Sequence, residues 1–297
     1  MQSAGGGTGV ATGTNIKTFF DGAWHDDNVP IMQAADHGAW QGTTVFDGAR
    51  YVDGVAPDLL RHCERVVASA RALMLHPAQA PQEIHDIVLE GLARYPKDAA
   101  VYIRPMFWGI DGGAYGIIPA ETPAGFCVCL EEVPIAPPEA TVRLTTTQFH
   151  RPVLTDNVCN AKAGCLYPNN ARMLAEVMRK GFDNALVADA IGNVAETATA
   201  NVFMVRDGVA FTPIPNGTFL NGITRQRHIQ NLRAAGTQVV ETVLTFEDFR
   251  HADEVFMTGN LNKVTPVIEF DGTHYQHGPV AKKARQLYWD WAHSEVA

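Results

Sequence analysis

A lysine set among very small residues marks the first place on this chain where chemistry could occur. Lys162 lies in the stretch DNVCNAKAGCLYPNN, beside Ala161, Ala163 and Gly164. Small neighbours let a backbone or a flat ligand come close. An amine in apolar surroundings is expected to have a depressed pKa and to attack a carbonyl as the free base. An exposed loop lysine is the plain alternative. The other lysines offer less: Lys180, Lys282 and Lys283 fall on predicted helices as solvated faces, and Lys97 sits in the polar turn YPKD.

Two further signals concern an anion and an acid. NGITRQRHIQNL runs from a glycine into a predicted helix, so the first-turn amides and the Thr224 hydroxyl would face outward as donors for a phosphate. A simple threonine cap reads the same way. MTGNL, after a predicted strand, offers a second donor-rich turn with Thr258, Gly259 and Asn260, and Arg65 lies on an early helix. Glu196 stands in GNVAETATANVF among small and β-branched residues, where a carboxylate needs a cation or hydrogen-bond donor. A pyridinium nitrogen would serve.

The elements that must position these residues fall into two regions. IKTFFDGAWH and TTVFDGARYVDGVA carry strand residues around Asp-Gly pairs, which predict hairpins. DLLRHCERVVASARALML and QEIHDIVLEGLARY have helical apolar spacing, and AAVYIRPMFWG and AGFCVCLEEV read as strands. This first region is α+β, with two helices on one face of neighbouring strands. Pro134, Pro137 and Pro138 then predict an extended connector. Beyond it TVRLTTTQF reads as a strand, NNARMLAEVMRKGF as a helix, and residues 184–213 as three strands with breaks at Gly192-Asn193 and Asp207-Gly208. Another helix stops at Gly236, two more strands follow, and a last helix begins at Pro279. The expected division is a flexible tail over 1–15, a small α+β domain over 16–133, a linker over 134–140 and a large domain over 141–297.

Composition narrows the class. The 297 residues carry a net charge of −9 with no basic stripe, so nucleic acid is not an expected partner. Cys127 and Cys129 alternate with apolar residues and read as strand packing, and no second pair has zinc spacing, so no metal is expected. The Gly/Thr-rich start lacks a signal peptide's basic and apolar parts. No apolar run approaches the roughly 20 residues that span a bilayer. A reducing cytoplasm fits an odd cysteine count.

Taken in order, VFDGARYVDG, HCERVVASA, VYIRPMFWG, NAKAGCLYPNN, GNVAETATANVFMVRDG, FLNGITRQ and DEVFMTGNLNKVTPV resemble the successive motifs of the fold-type IV, pyridoxal-phosphate-dependent aminotransferases, most of all the branched-chain amino-acid enzymes. The resemblance runs from about Phe19 to the C-terminal helix. It implies a small α+β domain beside a larger β-barrel-like domain with outer helices, and a homodimer or a multiple of dimers. Lys162 would form a Schiff base with the cofactor and move a proton. Glu196 would pair with the ring nitrogen, and Tyr167 with the ring oxygen beside the imine. Arg65, Ile223, Thr224 and Asn260 would hold the phosphate, and Leu220 would pack beneath the ring. Phe46, Tyr102, Arg104, Gln41 and Leu261 would line the substrate side.

Two positions depart from the family pattern. Gln41 stands where a tyrosine is usual, and Gly259-Asn260-Leu261 replaces Gly-Thr-Ala. Both leave cofactor chemistry in place and bear on substrate preference. The resemblance implies transfer of an amino group from a branched-chain L-amino acid to 2-oxoglutarate. The alternatives are an (R)-amine or D-amino-acid transaminase of the same fold, an aminodeoxychorismate lyase, and a silent binding protein that keeps the fold.

Overall fold

A computed structural model describes residues 13–294 of the chain. The tail expected over 1–15 lies outside the described residues as far as residue 12, and Thr14 already opens a strand. The chain divides into two compact units. Among the described residues the first takes 13–135 and Val158–Tyr167, and the second takes Ala136–Asn157 and 168–294. A single cut at the prolines of 134–140 therefore does not describe the division, because the lysine segment is counted with the first unit.

The first unit holds β1 (Thr14–Phe20), β2 (Ala23–His25), α1 (His37–Gln41), β3 (Thr44–Phe46), β4 (Ala49–Tyr51), α2 (Leu59–Ala72), α3 (Pro81–Leu92), β5 (Val101–Trp108) and β6 (Gly125–Glu132). Its sheet runs β2-β1-β6-β5-β3, with β4 also on β5. The β1–β2 hairpin turns at Asp21 and Gly22, whose φ values of 52° and 76° suit a tight primed turn. The hairpin expected at Asp47-Gly48 is absent. Instead β3 and β4 lie end to end along β5 in one register, Phe46 opposite Met106 and Ala49 opposite Ile103. Asp47 donates its N–H to the Pro105 carbonyl at 3.0 Å, and Pro105 has no N–H to return. The ladder lapses there.

The core of this unit follows from two periodicities. Helix α2 buries Leu59, Cys63, Val66, Val67 and Ala70 on one stripe. They pack with Ile84 and Val88 of α3 and with Val101, Ile103 and Phe107 of β5. The alternate β5 residues, Tyr102 and Arg104, are only half-buried, so they leave by the other face. Ala161 and Ala163 belong to the same core.

The second unit holds β7 (Val142–Thr146), α4 (Tyr167–Arg179, its first residue shared with the first unit), β8 (Asn184–Ala188), β9 (Val194–Thr197), β10 (Asn201–Arg206), β11 (Val209–Pro213), α5 (Ile223–Ala234), β12 (Val239–Thr242), α6 (Phe246–Arg250), β13 (Glu254–Gly259), β14 (Lys263–Phe270), β15 (Thr273–His274) and α7 (Pro279–Ser294). Its sheet runs β12-β11-β10-β13-β14-β7-β8-β9, with β15 on β14. The sheet curls until its ends meet, since the Val194 N–H of β9 donates to the Leu244 carbonyl just past β12 at 2.7 Å. Val202, Met204, Val255 and Met257 fill the inside of the curl. Phe203, Val205 and Phe256 face outward against Ile229 and Leu232 of α5 and Ala281 and Ala284 of α7.

Residues 184–213 form four strands rather than three. The extra break falls at Ala198–Ala200, where the Thr197 hydroxyl accepts the Ala200 N–H at 3.0 Å and donates to the Ala200 carbonyl at 2.8 Å. Side-chain bonding of this kind competes with a strand ladder.

His228 of α5 is fully buried against the Tyr288 ring and faces the Lys263 carbonyl at 3.2 Å. Burial pulls its pKa down from 6.5 to about 4. Between those values the unfolded chain binds a proton that the folded chain refuses, so stability should fall as pH drops from about 6.5 to 4. The loss is on the order of 3 kcal/mol. Melting temperature against pH should show this slope in the wild type, and a shallower one in His228→Gln.

Candidate active site

The first unit places an amine with its neighbours fixed. Ala161 and Ala163 point into the core at 0% exposure, so Lys162 between them must point the other way. Its backbone is pinned on both sides. The N–H donates to the Ser69 hydroxyl of α2 at 3.0 Å, and the carbonyl accepts from Phe46 of β3 at 3.1 Å. Gly164 lets this segment lie against β3, since a Cβ there would stand 2.3 Å from the Thr44 hydroxyl. The Lys162 amine donates to the Tyr167 hydroxyl at 2.7 Å and sits 4.7 Å from the Phe46 ring centre. The Phe46 and Tyr167 rings are 5.1 Å apart.

The surroundings of this amine are less apolar than its sequence neighbours suggest. Burial is the largest single influence and lowers its pKa, as does Arg65, but Tyr167, Tyr102 and Asp47 together push it up by more. The net direction is upward, which corrects the expected depression. In the free protein the amine therefore stays protonated at neutral pH. Capture of an aldehyde by protein stripped of cofactor should speed up about tenfold per pH unit across the neutral range. Stopped-flow absorbance with a simple aldehyde reads the effect, and an uptake rate flat with pH would contradict the assignment.

Asp47 is the hub behind this amine. It is fully buried and accepts from Arg65 Nε at 2.6 Å and Nη2 at 2.8 Å, and it bonds His62 Nδ1 at 2.7 Å. Burial would raise its pKa, yet Arg65 and His62 hold the carboxyl well below the usual range. The two bonds orient the Arg65 guanidinium and leave Nη1 for another anion. Tyr102 packs beside Gly48, where a Cβ would stand 2.3 Å from the phenol oxygen. The Arg104 guanidinium lies 5.2 Å from the Tyr102 ring centre. Phe46, Arg65, Tyr102, Arg104, Lys162 and Tyr167 are thus one neighbourhood of the first unit. Gln41 is exposed at the end of α1, outside those contacts.

The second unit gathers the acid and the anion donors. Glu196 of β9 pairs with Arg151 Nη2 at 2.9 Å. Arg151 is itself buried and laced to the Asn170 side chain and the Thr197 and Ala198 carbonyls. Asn201 of β10 links Glu196 (3.3 Å) with the Leu220 carbonyl (3.0 Å). Gly222, before α5, lets the chain pass, because a Cβ there would stand 2.2 Å from the Asn201 side-chain oxygen. Helix α5 starts at Ile223 and Thr224 with no side-chain cap, which leaves its first amides as donors. Arg225 turns inward to the Pro213 carbonyl and Glu241 and anchors the helix.

Beside this helix start lie orphaned donors. Thr258 stands opposite Asn201 across β10 and β13. Its hydroxyl is buried without a hydrogen-bond partner among the described residues, as is the Asn260 amide nitrogen. The Lys263 amine donates to the Asn260 side-chain oxygen at 2.7 Å, which fixes the amide with its nitrogen on the other side. Buried donors without partners beside an uncapped helix fit an anion such as a phosphate. Leu261 follows in the same turn.

Similarity to known proteins decides the family. The profile described as Amino-transferase class IV matches residues 44–270.

The chain belongs to the class IV aminotransferases.

A crystal structure of an aminotransferase from Brucella abortus bound to PLP is 54% identical, with a TM-score of 0.92, covering 94% of this chain and 99% of that one. The branched-chain-amino-acid aminotransferase of Escherichia coli K12 is 31% identical, over 90% of this chain and 88% of that protein. The branched-chain aminotransferase of the archaeon Thermoproteus uzoniensis, solved with norvaline, is 28% identical, with a TM-score of 0.84, covering 94% of this chain and 95% of that one. This chain is thus a class IV aminotransferase by sequence and by fold, and among its described residues no helix is long and apolar enough to cross a membrane.

Several residues of these two groups, one in each unit, carry no local mark in the sequence. The Asp-Gly pattern presents Asp47 as a turn residue, and nothing along the chain singles out His62, Arg151 or Asn201. The usable signal for Asp47 is Pro105, which denies it a regular strand partner.

Proposed function

We propose that this class IV aminotransferase moves an amino group between a branched-chain L-amino acid and 2-oxoglutarate, with pyridoxal phosphate as its cofactor. The observation that carries the reading is the pinned Lys162, whose amine meets Tyr167 while its backbone is tied to Ser69 and Phe46. When bound, the cofactor supplies an aldehyde that takes up amines and a ring that accepts the electron pair of a broken C–H bond. The Lys162 amine would hold the aldehyde carbon and, once displaced by substrate, carry the α-proton. Tyr167 would orient that amine and the neighbouring ring oxygen.

The remaining residues bind and orient. Glu196, paired with Arg151, would hold a proton on the ring nitrogen. Arg65, the Ile223 and Thr224 amides and Asn260 would hold the phosphate, with Leu220 beneath the ring. Phe46, Tyr102, Arg104, Gln41 and Leu261 would face the substrate. Arg104 suits the distal carboxylate of a five-carbon diacid, and Phe46 an apolar side chain. The E. coli and Thermoproteus relatives are named as branched-chain enzymes, which supports this donor class. We further expect a cytoplasmic homodimer or a multiple of dimers, readable as an even multiple of the chain mass by light scattering.

An initial-rate panel tests the reading. L-Leucine with 2-oxoglutarate should be turned over at least about tenfold faster than D-alanine or 1-phenylethylamine with any 2-oxo acid. A faster rate with D-alanine or the amine would overturn the donor assignment, and pyruvate release from aminodeoxychorismate would point to the lyase.

A further inference from the structure

Arg104 does not face the substrate side as a lone cation. Glu131 of β6 stands directly opposite Tyr102 and one diagonal step from Arg104 across the β5–β6 pair. Its carboxylate is 2% exposed and forms an ion pair with Arg104 Nη2, while its other oxygen accepts the Gly13 N–H at 2.7 Å. Arg104 is 32% exposed, so one side of the guanidinium is bound from within and the other is open. Tyr102 links this pair to the site, since it stands opposite Glu131 and its ring centre lies 5.2 Å from the Arg104 guanidinium.

We propose that Glu131 is a specificity-determining residue that neutralises Arg104 from the buried side. The proposal rests on the reading of Tyr102 and Arg104 as the substrate side. A transaminase with one site must accept an apolar side chain in one half-reaction and a diacid in the other. A bare guanidinium would have to lose water against the apolar chain with nothing in return. A guanidinium already paired leaves the face nearly neutral. A guanidinium has five N–H donors, and Glu131 occupies only one side of the fork, so a distal carboxylate can still bind the open side. It binds more weakly than it would bind a free cation, because the buried carboxylate repels it. Glu131 thereby trades diacid affinity for tolerance of apolar side chains.

The test uses holoenzyme and two acids of equal length, glutarate and pentanoate, titrated by cofactor absorbance. Glu131→Gln removes the charge and keeps one acceptor oxygen, which can serve Arg104 while the Gly13 N–H gives up its bond. Glutarate should bind about tenfold tighter and pentanoate about threefold weaker, with the KM values for 2-oxoglutarate and L-leucine moving in the same opposite senses. A merely structural role would move both acids together or neither, and either result overturns the proposal. In Glu131→Leu with Arg104→Met no charge is stranded. That variant should bind pentanoate at least as well as wild type and glutarate about tenfold worse. Retained glutarate preference would overturn the proposal independently. Binding of the two acids needs no turnover, so a wild type that ignores L-leucine would defeat the donor assignment while leaving the Glu131 result readable.

Discussion

Lys162→Ala should lower transamination by on the order of 10⁴-fold while the protein stays folded. The size follows from the two tasks assigned to one amine, covalent attachment and proton transfer, each of which contributes orders of magnitude in enzymes. The fold should survive because the structural work is done by the backbone. The bonds to Ser69 and Phe46 use main-chain atoms. Alanine at 162 continues the run of alanines without adding volume, and the deleted side chain lies outside the core formed by Ala161 and Ala163. Initial rates with the best substrate pair, together with an unchanged melting curve, check the prediction. Turnover within about tenfold of wild type would remove Lys162 from the chemistry.

Glu196→Gln should cost about 10²- to 10³-fold in kcat with little change in KM. In the proposed role the carboxylate would meet the ring nitrogen and stabilise charge that must persist while the C–H bond is broken, and single electrostatic contacts of this kind are worth that much. Glutamine keeps the shape and can still accept from Arg151 but cannot hold a ring proton in place. Arg151 retains the Asn170, Thr197 and Ala198 oxygens, so no stranded cation should unfold the unit. A kcat within about threefold of wild type would show that Glu196 serves structure, by holding Arg151 and Asn201, and not the chemistry.

Local signals are legible in the sequence where neighbours along the chain decide the outcome. Asp21-Gly22 and Asp207-Gly208 form the turns their types demand, with positive φ at both residues. The apolar spacing of α2 and the glycine stop after α5 also correspond to the helices observed. Lys162 stands out by its alanines, which are core residues that aim it away from the core. What is not legible depends on residues far apart in the chain. Asp47 meets Arg65 18 positions away, and Arg104 meets Glu131 27 positions away. Arg104 and Glu131 are matched by strand register, and Asp47 and Arg65 by the packing of α2 on the sheet, neither of which a local pattern reports. The direction of the Lys162 pKa escapes the sequence for the same reason, because Tyr102 comes from a strand far along the chain. The return of Val158–Tyr167 to the first unit is likewise invisible, since the prolines before it mark a connector but not where the chain goes next.

The central claim is that one amine holds the cofactor. Holoprotein should be reduced with borohydride and digested, and its peptides weighed. A single phosphopyridoxyl mass on the peptide carrying Lys162, and on no other lysine, is the predicted result. Label on Lys263 or another lysine, or no label at all, would contradict it.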